Sequence, residues 1–397
     1  MAVTIRQQIG WKATSTTGVV AAGGADAVAA GIKILADGGN AADAAVATIF
    51  ALTVTDHGDC SIGGEVPLLI YDALNQEVKA LSGQGRAPLS REAIDWYMQN
   101  GIPGDGDIKM APVPSVVDLC ITTLQRYGTR TLRDVVDPSL ALLDAETEAW
   151  HPKLAVTLRK MVEEEHIALG SREEKLQAAS DRFYGRNKDR NDIADDLEEY
   201  YIEKGGFLRK TDLAAHATTI EDPVTVNYRG YTICKCGPWT QGPLLCQALR
   251  LLEGFDLKAI GLLSTDYIHV VVEAIKLAMA DRDHYYGDPD FAEVPLRGLL
   301  SDAYTEIRRP LIDMQQASLE SRPGDPNHMK SLNGHGVFRP GVGGTTTCVV
   351  ADRWGNVVSA TPSANVPEEP RDGGKAGVTF SNRLRSLNTT PGHPNCI

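Results

Sequence analysis

The stretch that most restricts how this chain can fold is Gly344-Thr345-Thr346-Thr347-Cys348-Val349-Val350-Ala351, followed by Asp352-Arg353-Trp354-Gly355-Asn356 and then Val357-Val358-Ser359-Ala360. Two β-branched runs flanking a turn rich in Asp, Gly and Asn predict an antiparallel hairpin. Directly before it, residues 322–344 hold three prolines and many glycines, including Gly341, Gly343 and Gly344. A loop of that composition is predicted to be accessible. The sequence therefore places a threonine at the start of a buried strand, immediately behind a segment that can be cut.

That placement carries a chemistry. Cleavage between Gly344 and Thr345 would free the α-amine of Thr345, whose ordinary pKa of about 8 lets it accept the hydroxyl proton without a separate histidine. One residue would then supply nucleophile and base. The competing reading is that three threonines simply start a strand, which their β-propensity favours.

The first quarter of the chain reads as two alanine-rich helices, 23–36 and 40–53, separated by Asp37-Gly38-Gly39, with Asn40 as the cap of the second. Alanine at so many positions suits a buried helix layer. Strands are predicted over 66–71 and 77–81, helices over 115–127 and 132–143, and a charged helical region to about Lys204. A strand pair over 224–236 and helices over 242–252 and 266–281 follow. The 397 residues carry a formal charge of −13 and no Lys/Arg block, which argues against a nucleic-acid partner or an anionic membrane surface. The N-terminal 22 residues lack the apolar core of a signal peptide, and no run approaches the roughly 18 apolar residues of a membrane span, so a cytoplasmic protein is expected.

Motifs spread over the chain resemble the gamma-glutamyltransferase (glutathione hydrolase) family. They are Gly38-Gly-Asn-Ala-Ala-Asp-Ala-Ala-Val46, Ser61-Ile-Gly-Gly64, Arg86-Ala-Pro88, Asp181-Arg-Phe-Tyr184, Gly205-Gly206 with Asp212-Leu213, Gln241-Gly-Pro243, and Gly344-Thr-Thr346 followed by Asp352 and Gly355-Asn356. The resemblance implies an α+β fold, the four-layer αββα sandwich of N-terminal-nucleophile hydrolases. It also implies a precursor cut at Gly344/Thr345 into a large-subunit region, 1–344, and the start of a small-subunit region, 345–397, forming one composite domain. Thr345 would be the nucleophile, Ser363 the hydroxyl that supports it, and Asn365 a substrate contact. The partner implied is a small-molecule amide, with the two subunits arising from one precursor and a further homo-oligomer compatible with that. No cofactor or metal is expected.

Two departures from the family pattern matter. The family's carboxylate-binding arginine precedes its Ala-Pro pair, whereas aligning on Ala87-Pro88 puts Gln84 near that place and arginine at position 86. Its amine-binding aspartate follows a Gly-x-x-x-Asn-Asn stretch, whereas Gly377-Val-Thr-Phe-Ser-Asn-Arg383-Leu-Arg-Ser386 offers Ser386 there and Arg383 slightly earlier. A site that lacks the ammonium partner and gains Arg383 should favour an anionic acyl group without an amine. That pattern is similar to the divergent branch with oxamate amidohydrolase and cephalosporin-acylase-like members. The alternative for Arg86 and Arg383 is ordinary salt bridging. The sequence therefore predicts an autoprocessing threonine amidohydrolase, with Arg86, Arg383 and Asn365 binding substrate. Glutathione hydrolysis or γ-glutamyl transfer is the alternative. The family's small subunit continues past Pro391-Gly-His-Pro-Asn395 into its oxyanion donors, so an inactive truncated homologue is a third expectation.

Other groupings carry less. The seven cysteines are scattered without a C-x-x-C, and buried free thiols are expected. His57 beside Cys60, the Cys234-Lys-Cys236 alternation, and Asp281-Arg-Asp-His284 are read as structural, with Tyr285 and Tyr286 packing inward.

Overall fold

The computed structural model describes residues 14–145, 148–187, 189–332, 344–366 and 372–397. Residues 333–343 of the glycine-rich segment before the hairpin and the first 13 residues lie outside the described residues. In chain order the elements are β1 (Gly18–Ala22), α1 (Ala25–Ala36), α2 (Ala41–Thr55), β2 (Val66–Asp72), β3 (Glu77–Gly83), α3 (Arg91–Asn100), α4 (Val116–Tyr127), α5 (Leu132–Asp144), α6 (His151–Ile167), α7 (Arg172–Tyr184), α8 (Asp192–Glu203) and α9 (Lys210–Ala215). There follow β4 (Thr219–Glu221), the hairpin β5 (Val224–Tyr228) and β6 (Tyr231–Lys235), α10 (Gly242–Leu252), α11 (Leu257–Ile260), α12 (Thr265–Tyr285), short strands β7 (Gly324–Asp325) and β8 (Lys330–Ser331), and β9 (Cys348–Asp352) and β10 (Val357–Ala360).

The alanine-rich start of the sequence becomes the centre of the molecule. Helix α2 is buried continuously from Ala41 to Thr53, pressed between α1, α4 and α5 on one side and the sheet on the other. Only small side chains allow such close approach on every face. Asn40 caps it as expected: its side chain accepts from the Asp43 amide while the Asp43 carboxylate accepts from the Asn40 amide, each at 3.0 Å. Asp43 also accepts from Thr129 N at 2.8 Å, Thr129 Oγ1 at 2.7 Å and Arg130 N at 3.0 Å, which anchors the chain entering α5.

Below α2 lies an antiparallel sheet in the order β1-β9-β10-β2-β3-β4. Its register aligns Ala22, Cys348, Ala360, Leu68 and Leu81 across the strands, and Val20, Val350, Val358 and Ile70 in the next row. These rows face the helices and carry the core. The alternate positions look the other way, where Val19, Val349 and Val357 are exposed. The α+β class is the one expected, with a helix layer over one large sheet.

Further along, α10 packs on the β5–β6 hairpin and against α12, around Leu251, Val270 and Leu277. The grouping at 281–284 is structural: Asp281 is fully buried against Arg308, and Tyr286 lies inside while Tyr285 is half-buried. His57 stacks on Trp150 with ring centroids 3.9 Å apart. The seven cysteines are free thiols, and among the described residues no group of three His, Cys, Asp or Glu side chains could hold a metal ion. No helix among them is long and apolar enough to cross a membrane.

Candidate active site

The predicted hairpin is present, but its first strand begins at Cys348 rather than Thr345. The reason lies across the ladder. Ala360 pairs with Cys348, and the next positions of that chain include Pro362, which has no N–H to continue the pairing. One bond survives beyond the strand, from Thr346 N to Pro362 O at 3.0 Å. Thr346 is otherwise held by its hydroxyl, which donates to Asp56 Oδ2 at 2.6 Å. Thr345 is thus left exposed on a short extended arm between two fixed points.

Around Thr345 three groups converge. Its Oγ1 lies 3.0 Å from Ser363 Oγ and donates to the carbonyl of Gly344 at 2.8 Å. Ser363 Oγ also donates to that carbonyl, at 3.2 Å. Ser363 is buried and clamped by backbone bonds: Glu65 N donates to Ser363 O at 2.8 Å, Ser363 N donates to Glu65 O at 2.9 Å, and Ala364 N donates to Asp59 O at 2.8 Å. The hydroxyl pair is therefore held by the rigid turn before β2. Gly344 is pressed against the same turn; a Cβ there would sit 1.6 Å from Asp59 Oδ1.

Asn365 follows on the same segment in a left-handed conformation, φ 53°, which asparagine tolerates better than most residues. Its carbonyl accepts from Asn382 N at 3.4 Å, which joins the 363–365 segment to the 379–386 segment. Ser61 and Gly63 strengthen that junction, through Ser61 Oγ donating to Thr379 O at 3.1 Å and a parallel bridge from Gly63 to Phe380.

Arg383 is brought to this place, although not as an unpaired cation. Its Nη2 lies 2.5 Å from Glu65 Oε1, and Glu65 is almost completely buried. Burial pushes the Glu65 carboxyl upward, and the Arg383 guanidinium opposes that rise. Arg385 is half-buried nearby; burial and the neighbouring Arg383 both lower its pKa, while Asp105 and Glu65 act in the other direction. Ser386 is exposed.

Arg86 is exposed on the loop after β3, and among the described residues its side chain makes no ion pair with an acid. It is one of the cations acting on His216, whose pKa falls to about 4 chiefly through burial, with Asp118 opposing the fall and Arg186 and Arg86 adding to it. Thr345, Ser363, Gly344, Asn365 and Arg383 are therefore joined by contacts, whereas Arg86 is not. Glu65, Asp59, Asp56 and Arg385 escaped the sequence reading. A charged residue directly ahead of the apolar run Val66-Pro67-Leu68-Leu69-Ile70 was the available signal for Glu65.

A family model described as gamma-glutamyltranspeptidase matches residues 27–145 and 145–397. The chain is 30% identical to the glutathione hydrolase proenzyme of Bacillus subtilis strain 168 over 92% of its own length and 67% of the relative's. It is 32% identical to the Acylase ACY 1 proenzyme of Pseudomonas sp. strain SE83, over 89% of this chain and 66% of that one. Among solved structures, LmbA2991T421A superposes with a TM-score of 0.82 at 31% identity, covering 97% of this chain and 74% of that chain. The cephalosporin acylase of Bacillus halodurans shares the fold with a TM-score of 0.76 at 24% identity, covering 100% of this chain and 76% of that chain.

Proposed function

The chain belongs to the gamma-glutamyltranspeptidase family, and on that premise we propose that it is an autoprocessing N-terminal-threonine amidohydrolase acting on a small amide with an anionic acyl group. The observation that carries this reading is the convergence of Thr345 Oγ1 and Ser363 Oγ on each other and on the Gly344 carbonyl. In processing, Oγ1 adds to the Gly344 carbonyl carbon, with Ser363 donating to the carbonyl oxygen where negative charge develops. The C–N bond then breaks, the nitrogen takes up a proton, and an ester links Gly344 to the Thr345 hydroxyl. Water hydrolyses that ester, leaving a carboxylate on Gly344 and a free amine on Thr345.

The mature residue then works on substrate. The α-amine accepts the hydroxyl proton as Oγ1 attacks the amide carbonyl, and it returns the proton to the departing amine. An acyl ester on Thr345 remains and is resolved by water. Ser363 Oγ, held by Glu65 and Ala364 through the backbone, keeps Oγ1 oriented and relays a proton.

The choice of an anionic acyl group rests on Arg383 and Arg385 beside this centre, and on Ser386 where the family pattern has an aspartate. The relatives' names span both glutathione hydrolase and acylase, so the two substrate classes are set against each other directly. Glutaryl-p-nitroanilide and γ-glutamyl-p-nitroanilide differ only by the α-amine. We expect kcat/KM at least tenfold higher for the glutaryl compound, about 1.4 kcal/mol of discrimination. A preference for the γ-glutamyl compound would instead establish γ-glutamyl hydrolysis or transfer.

A further inference from the structure

The geometry points to Glu65 as a buried counter-charge that positions Arg383, so that Arg383 and Arg385 together form a carboxylate-binding subsite that rejects an α-ammonium. This deepens the substrate class proposed above and rests on that reading for its place in turnover, but its binding chemistry can be tested separately.

Four observations support it. Glu65 and Ser363 exchange both backbone hydrogen bonds, at 2.8 and 2.9 Å, as a directly opposed antiparallel pair. Side chains of such a pair project from the same face, with Cβ atoms about 5 Å apart. Ser363 Oγ is itself 3.0 Å from Thr345 Oγ1, so the Glu65 carboxylate and the guanidinium on it lie within the reach of a short acyl chain from the nucleophile.

Burial then fixes which charge the site presents. The Glu65 side chain is 4% exposed and its Oε1 is taken by Arg383, whose side chain is 23% exposed. The carboxylate is therefore buried and paired, and the partly exposed guanidinium is the charge of this pair that solvent can reach. Arg383 Nε is buried and bonded to nothing among the described residues, which leaves a donor unspent at a place where an unsatisfied polar group is costly.

Arg385 supplies the second cation. It is half-buried within the electrostatic reach of Arg383 and Glu65, with exposed Asp105 as the other carboxylate acting on it. Arg383 and Arg385 lie two residues apart on one short 3-10 turn, Arg383–Ser386, and two guanidinium groups that close repel each other unless an anion joins them. Arginine suits that role because its planar donors can bind a carboxylate in bidentate fashion.

The probe is glutarate, which is glutamate without its α-amine, titrated calorimetrically into the processed protein. We expect glutarate to bind at least tenfold more tightly than glutamate, and Arg385→Gln to weaken glutarate at least tenfold. Glu65→Gln should weaken glutarate several-fold and narrow its advantage over glutamate, because an Arg383 that is no longer oriented cannot select the carboxylate. A loss of glutarate and glutamate affinity in equal proportion would mark Glu65 as merely structural and would overturn the proposal. Unchanged glutarate binding in Arg385→Gln would also overturn it. Glutarate binding that depends on Arg385 in a protein that hydrolyses no anilide would support the subsite while removing the amidohydrolase reading.

Discussion

At the scale of single residues, the peptide between Gly344 and Thr345 is held by sterics as much as by hydrogen bonds. Because a Cβ on Gly344 would fall on the Asp59 carboxylate, Gly344→Ala should displace the scissile carbonyl from Ser363 and slow processing at least tenfold. Asp59→Ala in the same chain should restore it. A gel time course of precursor conversion reads both, and full-speed processing of the single variant would show that the contact is irrelevant. The Gly-Gly-Thr junction behind a glycine-rich loop was legible in the sequence as a local pattern, whereas its reading as a nucleophile came from the family resemblance. The partner of Arg383 was not legible. Glu65 and Arg383 are far apart in sequence, and nothing local says that a glutamate after two glycines folds back onto an arginine near the chain's end.

Among the elements, the hairpin β9–β10 is tied to helix α2 through one side chain. Asp352 Oδ2 accepts from Ala41 N at 2.9 Å and from Asn356 Nδ2 at 2.8 Å, while Oδ1 accepts from Trp354 N at 2.9 Å and Asn356 N at 3.0 Å. The carboxylate thus closes the hairpin turn and sits at the N-terminus of α2, where negative charge is favoured. Asp352→Ala should cost about 3 kcal/mol of stability, since several buried donors lose their acceptor. Asp352→Asn should cost less because one acceptor oxygen remains. Urea midpoints measure the difference, and equal losses would argue against the helix-terminus role. Sequence patterning found α2, its Asn40 cap and the hairpin because each has local signals. Helix α3, 91–100, lies where the patterning predicts no element, and β9 begins three residues later than the patterning predicts because the break depends on Pro362 on the facing chain.

For the whole molecule, the fold's dependence on pH has a definable source. His216 is buried with both ring nitrogens unbonded among the described residues, and burial lowers its pKa from 6.5 to about 4. Between those values the unfolded chain binds a proton that the folded chain does not. The associated stability is complete above about pH 6.5 and is lost as pH falls toward 4, amounting to about 2 kcal/mol by pH 5. His216→Phe should flatten the fall in urea midpoint between pH 7 and 5, whereas an unchanged slope would assign the acid sensitivity to other groups. The architecture was legible at the level of class, since alanine-rich helices and alternating strands announce themselves. The meeting of residues 61–65, 344–346, 363–365 and 379–386 at one point is a property of the assembled sheet and could be read from sequence only by resemblance. The claim that this meeting point is a self-cutting nucleophile is tested most directly by intact mass under denaturing conditions, for the wild type and for Thr345→Ala. Two wild-type fragments divided between Gly344 and Thr345, with a single uncut Thr345→Ala chain, are what the account predicts. An uncut wild-type chain, or a Thr345→Ala chain cut at the same bond, would contradict it.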